Sequence, residues 1–394
     1  MWMIRTLSSH LTTPTSLESG PKHALTTSPP PAAMAPNSDL TGHKLLLIGD
    51  YDLPKDFLEY AHGKYSGLEI VHLRMFPFNP PGEEGLKRLE KEFKDTTIIV
   101  GGAVLPTIEQ GPKLQLVQLQ SAGSEYIVNK PIFKDTDISF CSANGIAGPP
   151  IAEWVICTYL AHQHSIPHFL DNQHESKWER GLTDLAKKDS VGQRVGILGY
   201  GSIGRQVARM AISLGMEVYA YTNRSRPTPE SRRDHSYVPP GLGDPEGTLP
   251  SKWFSGTTEA ELDEFLGSGL DLLVNALPLT PQTKGMLGTP QFKLLAQKKA
   301  FISNIGRGRT IVTEDLMAAL DEGLIRGAAL DVTDPEPLPS DHPLWQKKNL
   351  IITPHISGNS NNYYDRLYEI VKINLERLSK GEELLNKISR KRGY

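Results

Sequence analysis

The stretch "RVGILGYGSIGRQVARMAISLG" (194–215) limits the architecture of this chain more than any other. An apolar run at 194–199 meets a G-x-G-x-x-G turn at Gly199, Gly201 and Gly204, and the turn opens an amphipathic segment. Ile203, Val207, Met210 and Leu214 recur there at helical spacing, and Gly215 closes it. A strand that turns directly into such a helix belongs to a β–α–β unit, with the helix lying on a parallel sheet. The first glycine permits the tight turn and the second lets backbone approach a pyrophosphate. The third lets helix and strand pack closely, and the amides of Ser202 and Ile203 then point at the anion.

The rest of the chain repeats the alternation. Short apolar runs bounded by turn residues lie at 44–50, 69–73, 96–102, 114–120 and 137–142, separated by polar helix-capable stretches such as 82–94. A second series runs through 194–199, 216–221, 270–277, 299–305, 328–332 and 350–354. Residues 149–173 read as one long helix, bent near Pro167, with proline in its first turn. The Pro- and Gly-rich segment 228–256 reads as a surface insertion near the mouth of the ligand site. A last helix, about 363–380, returns to the first domain. The expected class is α/β, with two doubly wound parallel-sheet domains. Residues 41–160, completed by 360–394, form one; residues 161–359 form the other; residues 1–40 form a disordered extension rich in Ser, Thr and Pro.

A formal charge of −3 gives no overall attraction to nucleic acid or to an anionic membrane, and no apolar run approaches bilayer length. Cys141 and Cys157 form no C-x-x-C pair and read as small buried apolar groups, which suits a reducing compartment. The cytoplasm is the expected location. Arg5 and Lys22 against Glu18 leave a mitochondrial transit peptide within residues 1–36 as the alternative. His162, His164 and His168 lack a carboxylate or thiol at ligand spacing, so no metal is expected.

Nineteen residues past Gly204 the second strand of the unit runs into "NRSR". A carboxylate there would accept from ribose hydroxyls and repel a phosphate. Asn223, Arg224, Ser225 and Arg226 instead offer an amide, a hydroxyl and two guanidinium groups, which suit a dianionic 2′-phosphate. NADP(H) is the expected cofactor and NAD(H) the second; the alternative is a solvated basic loop. Three later strands also end on polar groups. Arg307 follows "AFISNI", Asp331 and Glu336 stand in "ALDVTDPEPL", and His355 follows "IITP". Open α/β sheets place their ligands at such strand ends.

With "GYGSIGRQVA", "NALPLTPQTKGML", "NIGRGRTIVTEDLMAAL", "GAALDVTDPEPLP" and "NLIITPHISG", the chain from about Lys44 to Tyr394 resembles the D-isomer-specific 2-hydroxyacid dehydrogenase family, in its glyoxylate/hydroxypyruvate reductase-like branch. The resemblance implies a Rossmann NAD(P)-binding domain inserted into a flavodoxin-like substrate domain, and a homodimer. It implies Arg307, Glu336 and His355 as the catalytic set. Leu277, Pro278, Ile305 and Asp331 would touch the cofactor, with Asp331 at the nicotinamide carboxamide. Gly102 and Ala103 would join Arg307 in binding substrate through the loop 101–103. Glu125 in "SAGSEY" stands near the acidic position of the usual motif. The residue chemistry suits reduction of a small 2-keto acid to a D-2-hydroxy acid. Arg307 would hold the carboxylate and lean on the carbonyl, while His355, oriented by Glu336, would deliver the proton. A dinucleotide-sensing corepressor and a formate dehydrogenase-like enzyme are the other readings.

Overall fold

The computed structural model describes residues 36–75, 82–179 and 188–393. The transit-peptide reading therefore lies outside the described residues, as does the expected disorder of 1–35. The last part of the expected extension is packed: the Asn37 N–H donates to Ser379 O (2.9 Å), and Leu40 is fully buried.

The first series runs β1 (Lys44–Ile48), α1 (Lys55–Lys64), β2 (Glu69–Leu73), α2 (Glu83–Phe93), β3 (Ile98–Gly101), β4 (Leu116–Leu119), α3 (Pro131–Lys134) and β5 (Ser139–Cys141). Its strands pair in parallel in the order β2-β1-β3-β4-β5. Central strands such as "LLLI" are apolar on every residue because helices cover both faces of the sheet.

Next come α4 (Gly148–Gln163) and α5 (Ile166–His174), where one bent helix was expected. The break is at Ser165, whose backbone is left-handed (φ +56°), rather than at Pro167. Pro167 lies in the first turn of α5, where its missing N–H costs nothing. The boundary placed between 160 and 161 falls inside α4. This helix buries Ile151, Ala152, Val155 and Tyr159 against Val207, Ala208 and Ala211 of the second series. Cys157 is exposed on the opposite face, contrary to the burial expected of it. Cys141 is buried, and desolvation pushes its thiol up to about 12.

The second series runs β6 (Arg194–Leu198), α6 (Ser202–Ser213), β7 (Glu217–Thr222), α7 (Pro229–Arg232), β8 (Lys252–Ser255), α8 (Glu259–Leu266), β9 (Leu272–Asn275), α9 (Thr289–Leu295), β10 (Phe301–Asn304), α10 (Thr313–Asp321), β11 (Gly327–Leu330) and β12 (Leu350–Ile352). Its parallel order is β12-β11-β10-β9-β6-β7-β8. Strand order reverses between β6 and β9, the switch point at which such sheets open a crevice. Finally α11 (Tyr363–Lys380) returns to the first sheet and packs Leu367, Ile370, Val371 and Leu375 against Leu45, Leu47 and Phe57. Among the described residues no helix is long and apolar enough to cross a membrane.

The segment expected to be a surface insertion, 228–256, differs most from its reading. Its end forms β8, the edge strand beside β7. Its middle is a clasp. The Asp244 carboxylate accepts from the Tyr200 hydroxyl (2.7 Å) and from the N–H of Thr248 (2.9 Å) and Leu249 (3.2 Å). The buried Arg205 side chain donates to Asp244 O and to Arg232 O. Tyr237, only 9% exposed, crosses to the first sheet's core beside Leu367 and Tyr368. Its N–H donates to Asn386 Oδ1 (3.3 Å). Tyr237→Ala is expected to lower unfolding stability by about 3 kcal/mol, as aromatic-to-alanine cavities do. A urea midpoint within experimental scatter of the parent would show that the clasp carries no load.

Candidate active site

The dinucleotide turn has the backbone its glycines allow. Gly199 is left-handed (φ +102°), and a Cβ on Gly204 would come within 2.6 Å of Gly199 O. A Cβ on Gly201 would instead project into open space, so the turn is lined for close approach from outside. No side chain of the described residues caps α6, which leaves the amides of its first turn to an anion. Ile203 is half-buried, while the Ser202 hydroxyl donates to Asn144 Oδ1 (2.7 Å). These features fit a pyrophosphate.

At the end of β7 the basic residues divide. Asn223, Arg224 and Ser225 are exposed. Arg226 is turned inward and donates to Ser231 O; burial and then the nearby Arg205 push its pKa down. The Arg226 guanidinium is thus committed to its own loop. Across the turn, after β9, stand the half-buried Leu277 and the exposed Pro278.

Arg307 follows β10 on a turn fixed by buried amides. Asn275 Nδ2 donates to Asn304 Oδ1 (3.0 Å) and to Thr310 Oγ1 (2.6 Å), and Asn304 Nδ2 donates to Arg307 O (3.2 Å). Ile305 is buried beside them, its N–H on Asn275 O (3.0 Å). The guanidinium reaches across to the loop after β4, where Nε donates to Glu125 Oε1 at 2.5 Å. Burial alone would raise the Glu125 pKa. The hydrogen bond and charge of Arg307, with smaller help from His355, hold it below the ordinary carboxylate range.

His355 follows β12 and Glu336 follows β11. The ring Nδ1 is 2.7 Å from Glu336 Oε1. A carboxylate can only accept, so Nδ1 carries the proton and Nε2 is the nitrogen left for chemistry. His355 has a left-handed backbone (φ +56°), and its N–H donates to Asp331 O (2.8 Å). Asp331, 2% exposed, uses both carboxylate oxygens on this turn. It accepts from Thr353 Oγ1 (2.6 Å), Ile356 N (2.9 Å), Ser357 N (3.0 Å) and Ser357 Oγ. Asp331 thus clamps the loop that carries His355.

On the first sheet Gly102 and the exposed Ala103 follow β3. A Cβ on Gly102 would come within 2.5 Å of the Tyr126 hydroxyl, so Tyr126 and Glu125 join the 101–103 loop to Arg307. The structure thus joins Gly102 and Arg307 through the loop 121–126, whose Glu125 the sequence marks only as near an acidic motif position, and His355 lies near enough to that carboxylate to help lower its pKa. Asn144 and Tyr200, which tie the dinucleotide turn to the first sheet and to the clasp, carried no sequence signal. The histidines at 162–168 lie elsewhere. His162 Nε2 is 3.0 Å from Arg326 O, and His168 Nε2 is 3.1 Å from Asn172. Among the described residues no group of three or more His, Cys, Asp or Glu is placed to hold a metal ion.

A family model described as "D-isomer specific 2-hydroxyacid dehydrogenase, NAD binding domain" matches residues 156–240 and 246–357. The chain is 31% identical over 278 residues to a hydroxypyruvate reductase of Blautia hydrogenotrophica, covering 69% of this chain and 78% of that protein. It is 32% identical over 247 residues to a glyoxylate/hydroxypyruvate reductase A of Photorhabdus laumondii, covering 63% and 69%. The fold matches a D-isomer specific 2-hydroxyacid dehydrogenase of Xanthobacter autotrophicus solved with NADPH and MES. The TM-score is 0.66 at 25% identity, over 89% of this chain and 99% of that one. The chain therefore belongs to the D-isomer specific 2-hydroxyacid dehydrogenase family of NAD(P)-dependent oxidoreductases.

Proposed function

We propose that this protein reduces a small 2-keto acid, of the glyoxylate or hydroxypyruvate kind, to the D-2-hydroxy acid with NADPH. The observation that carries the reading is the His355–Glu336 pair at 2.7 Å, with His355 near enough to Glu125, the carboxylate on the Arg307 guanidinium, to help lower its pKa. The names of the relatives from Blautia and Photorhabdus agree with it.

The residues divide the work. Arg307 offers planar N–H donors to the substrate carboxylate and polarises the adjacent carbonyl. Gly102 and Ala103 present backbone to the same acid. NADPH, when bound, supplies the hydride. His355 gives its Nε2 proton to the oxygen that becomes the hydroxyl. Glu336 accepts from Nδ1 and so fixes the ring, leaving Nε2 as the nitrogen that donates. Gly199, Gly201, Ser202, Ile203 and Gly204 cradle the pyrophosphate, Leu277 and Pro278 flank the adenosine, and Ile305 backs the Arg307 turn. Asn223, Arg224 and Ser225 read the 2′-phosphate, with Arg226 shaping their loop.

His355→Ala should cut turnover about a thousandfold, within the usual range for losing a general acid, while NADPH binding stays near the parent's. Near-normal rates, or loss of NADPH binding with the fold intact, contradict the role. Arg224→Ala should weaken NADPH about ten- to a hundredfold and NADH little, since one charge-assisted contact is lost. Fluorescence titration with both cofactors decides this, and equal losses would show that the loop does not read the phosphate.

A homodimer is part of the same reading. Ile166, Phe169 and Leu170 expose apolar surface on α5, and Trp178 just beyond it is almost fully exposed. Light scattering should give twice the mass of 43.5 kDa, falling to one chain in the double variant Phe169→Glu, Leu170→Glu. A parent that runs as a monomer refutes this surface as an interface.

A further inference from the structure

Arg307 is the group meant to receive the substrate carboxylate, yet it already holds an anion. Nε donates to Glu125 Oε1 at 2.5 Å and Nη1 donates to Gly306 O at 2.7 Å. A Cβ on Gly123 would meet Arg307 Nη2 and Glu125 Oε2, so a side chain there would have to displace the pair. The two partners come from different sheets, Glu125 after β4 and Arg307 after β10. They are partly screened, with 46% of the Glu125 side chain and 28% of the Arg307 side chain exposed. Arg307 keeps Glu125 ionised at neutral pH.

The charge count of the site follows. A protonated His355 and Glu336 cancel, so Arg307 alone would present one positive charge, matched to a monocarboxylate. Glu125 removes that surplus. Each substrate carboxylate then meets a resident anion as well as the guanidinium, and a substrate with two carboxylates meets that repulsion twice. Geometry alone does not demand a charged partner here, because an amide oxygen would accept from Nε equally well.

We propose that Glu125 is a specificity-determining residue that positions Arg307 between the two sheets and, as the resident anion on its fork, admits 2-keto acids with one carboxylate while rejecting those with two. This rests on the reductase reading above, and the test separates the two claims.

Oxamate and oxalate have nearly the same size and planarity and differ by one charge. Calorimetric titration of each into the protein, with and without NADPH, reads the charge limit with no turnover. Glu125→Gln keeps the acceptor and removes the charge, and it should shift the oxalate-to-oxamate affinity ratio toward oxalate by about fivefold, the scale of one partly screened ion pair. Glu125→Asp should restore the parent ratio. In kinetics, the kcat/KM ratio of oxaloacetate to hydroxypyruvate should rise about fivefold in Glu125→Gln. Because both measurements are ratios, a general loss of packing cancels. Ratios that stay put, or a protein that binds neither oxalate nor oxamate, overturn the proposal. If the binding ratio shifts while the parent reduces no 2-keto acid, the charge limit stands and the reductase reading falls. If hydroxypyruvate is reduced but neither ratio moves, the reverse holds.

Discussion

A parallel strand hands its following loop to the sheet's carboxyl edge, and among the described residues both sheets are parallel throughout. Gly199, Asn223, Leu277, Arg307, Asp331 and His355 follow β6, β7, β9, β10, β11 and β12; Gly102 and Glu125 follow β3 and β4. The chain needs no special device to gather these groups within each sheet. What needs explaining is how the two edges meet, and they do so at the Glu125–Arg307 pair and at the Ser202–Asn144 hydrogen bond. Two long charged side chains can bridge a gap that rigid backbone could not, and they can part without disturbing either core.

His355 shows how an awkward backbone is held. A left-handed non-glycine residue costs about 1–3 kcal/mol. Hydrogen bonds to a carboxylate contribute roughly 1.5–3 kcal/mol each, and Asp331 accepts four from Thr353, Ile356 and Ser357 on either side of His355. The clamp outweighs the strain. It also explains why an acidic residue can lie almost fully buried without an ion-pair partner among the described residues: each of its oxygens has donors.

The legible parts of the sequence were those governed by short-range rules. The G-x-G-x-x-G turn, the helix of 202–213 and the apolar runs all follow from periodicity and steric need, and the polar groups at strand ends follow from their position alone. The misread parts depend on partners far away in sequence. "KWFS" is too short to announce a strand, and it becomes β8 because β7 leaves an edge beside it. The Pro- and Gly-rich segment before it looks loose, yet its Tyr237 meets Asn386, 149 residues on. The helix break at Ser165 needed a left-handed residue that serine rarely signals. Glu125 looked like a small departure from a motif, and only the distance to Arg307 makes it part of the site.

The basic loop after β7 shows why a count of charges in sequence misleads. Arg224 and Arg226 look equivalent, two residues apart. The first is exposed, while the second donates to Ser231 O and is crowded by Arg205. Arg232 Nε in turn donates to Arg226 O (3.0 Å), and Arg205 donates to Arg232 O (2.6 Å). Three guanidinium groups thus donate to backbone carbonyls, and Asp234 Oδ2 stands 3.5 Å from Arg205 Nε as a counter-ion, which lets like charges pack and draws the loop tight against the clasp. The clasp continues through Tyr237 into the first sheet's core. The loop after β7 and the segment that ties the sheets together are therefore one continuous piece of chain, held from within by the inward arginines.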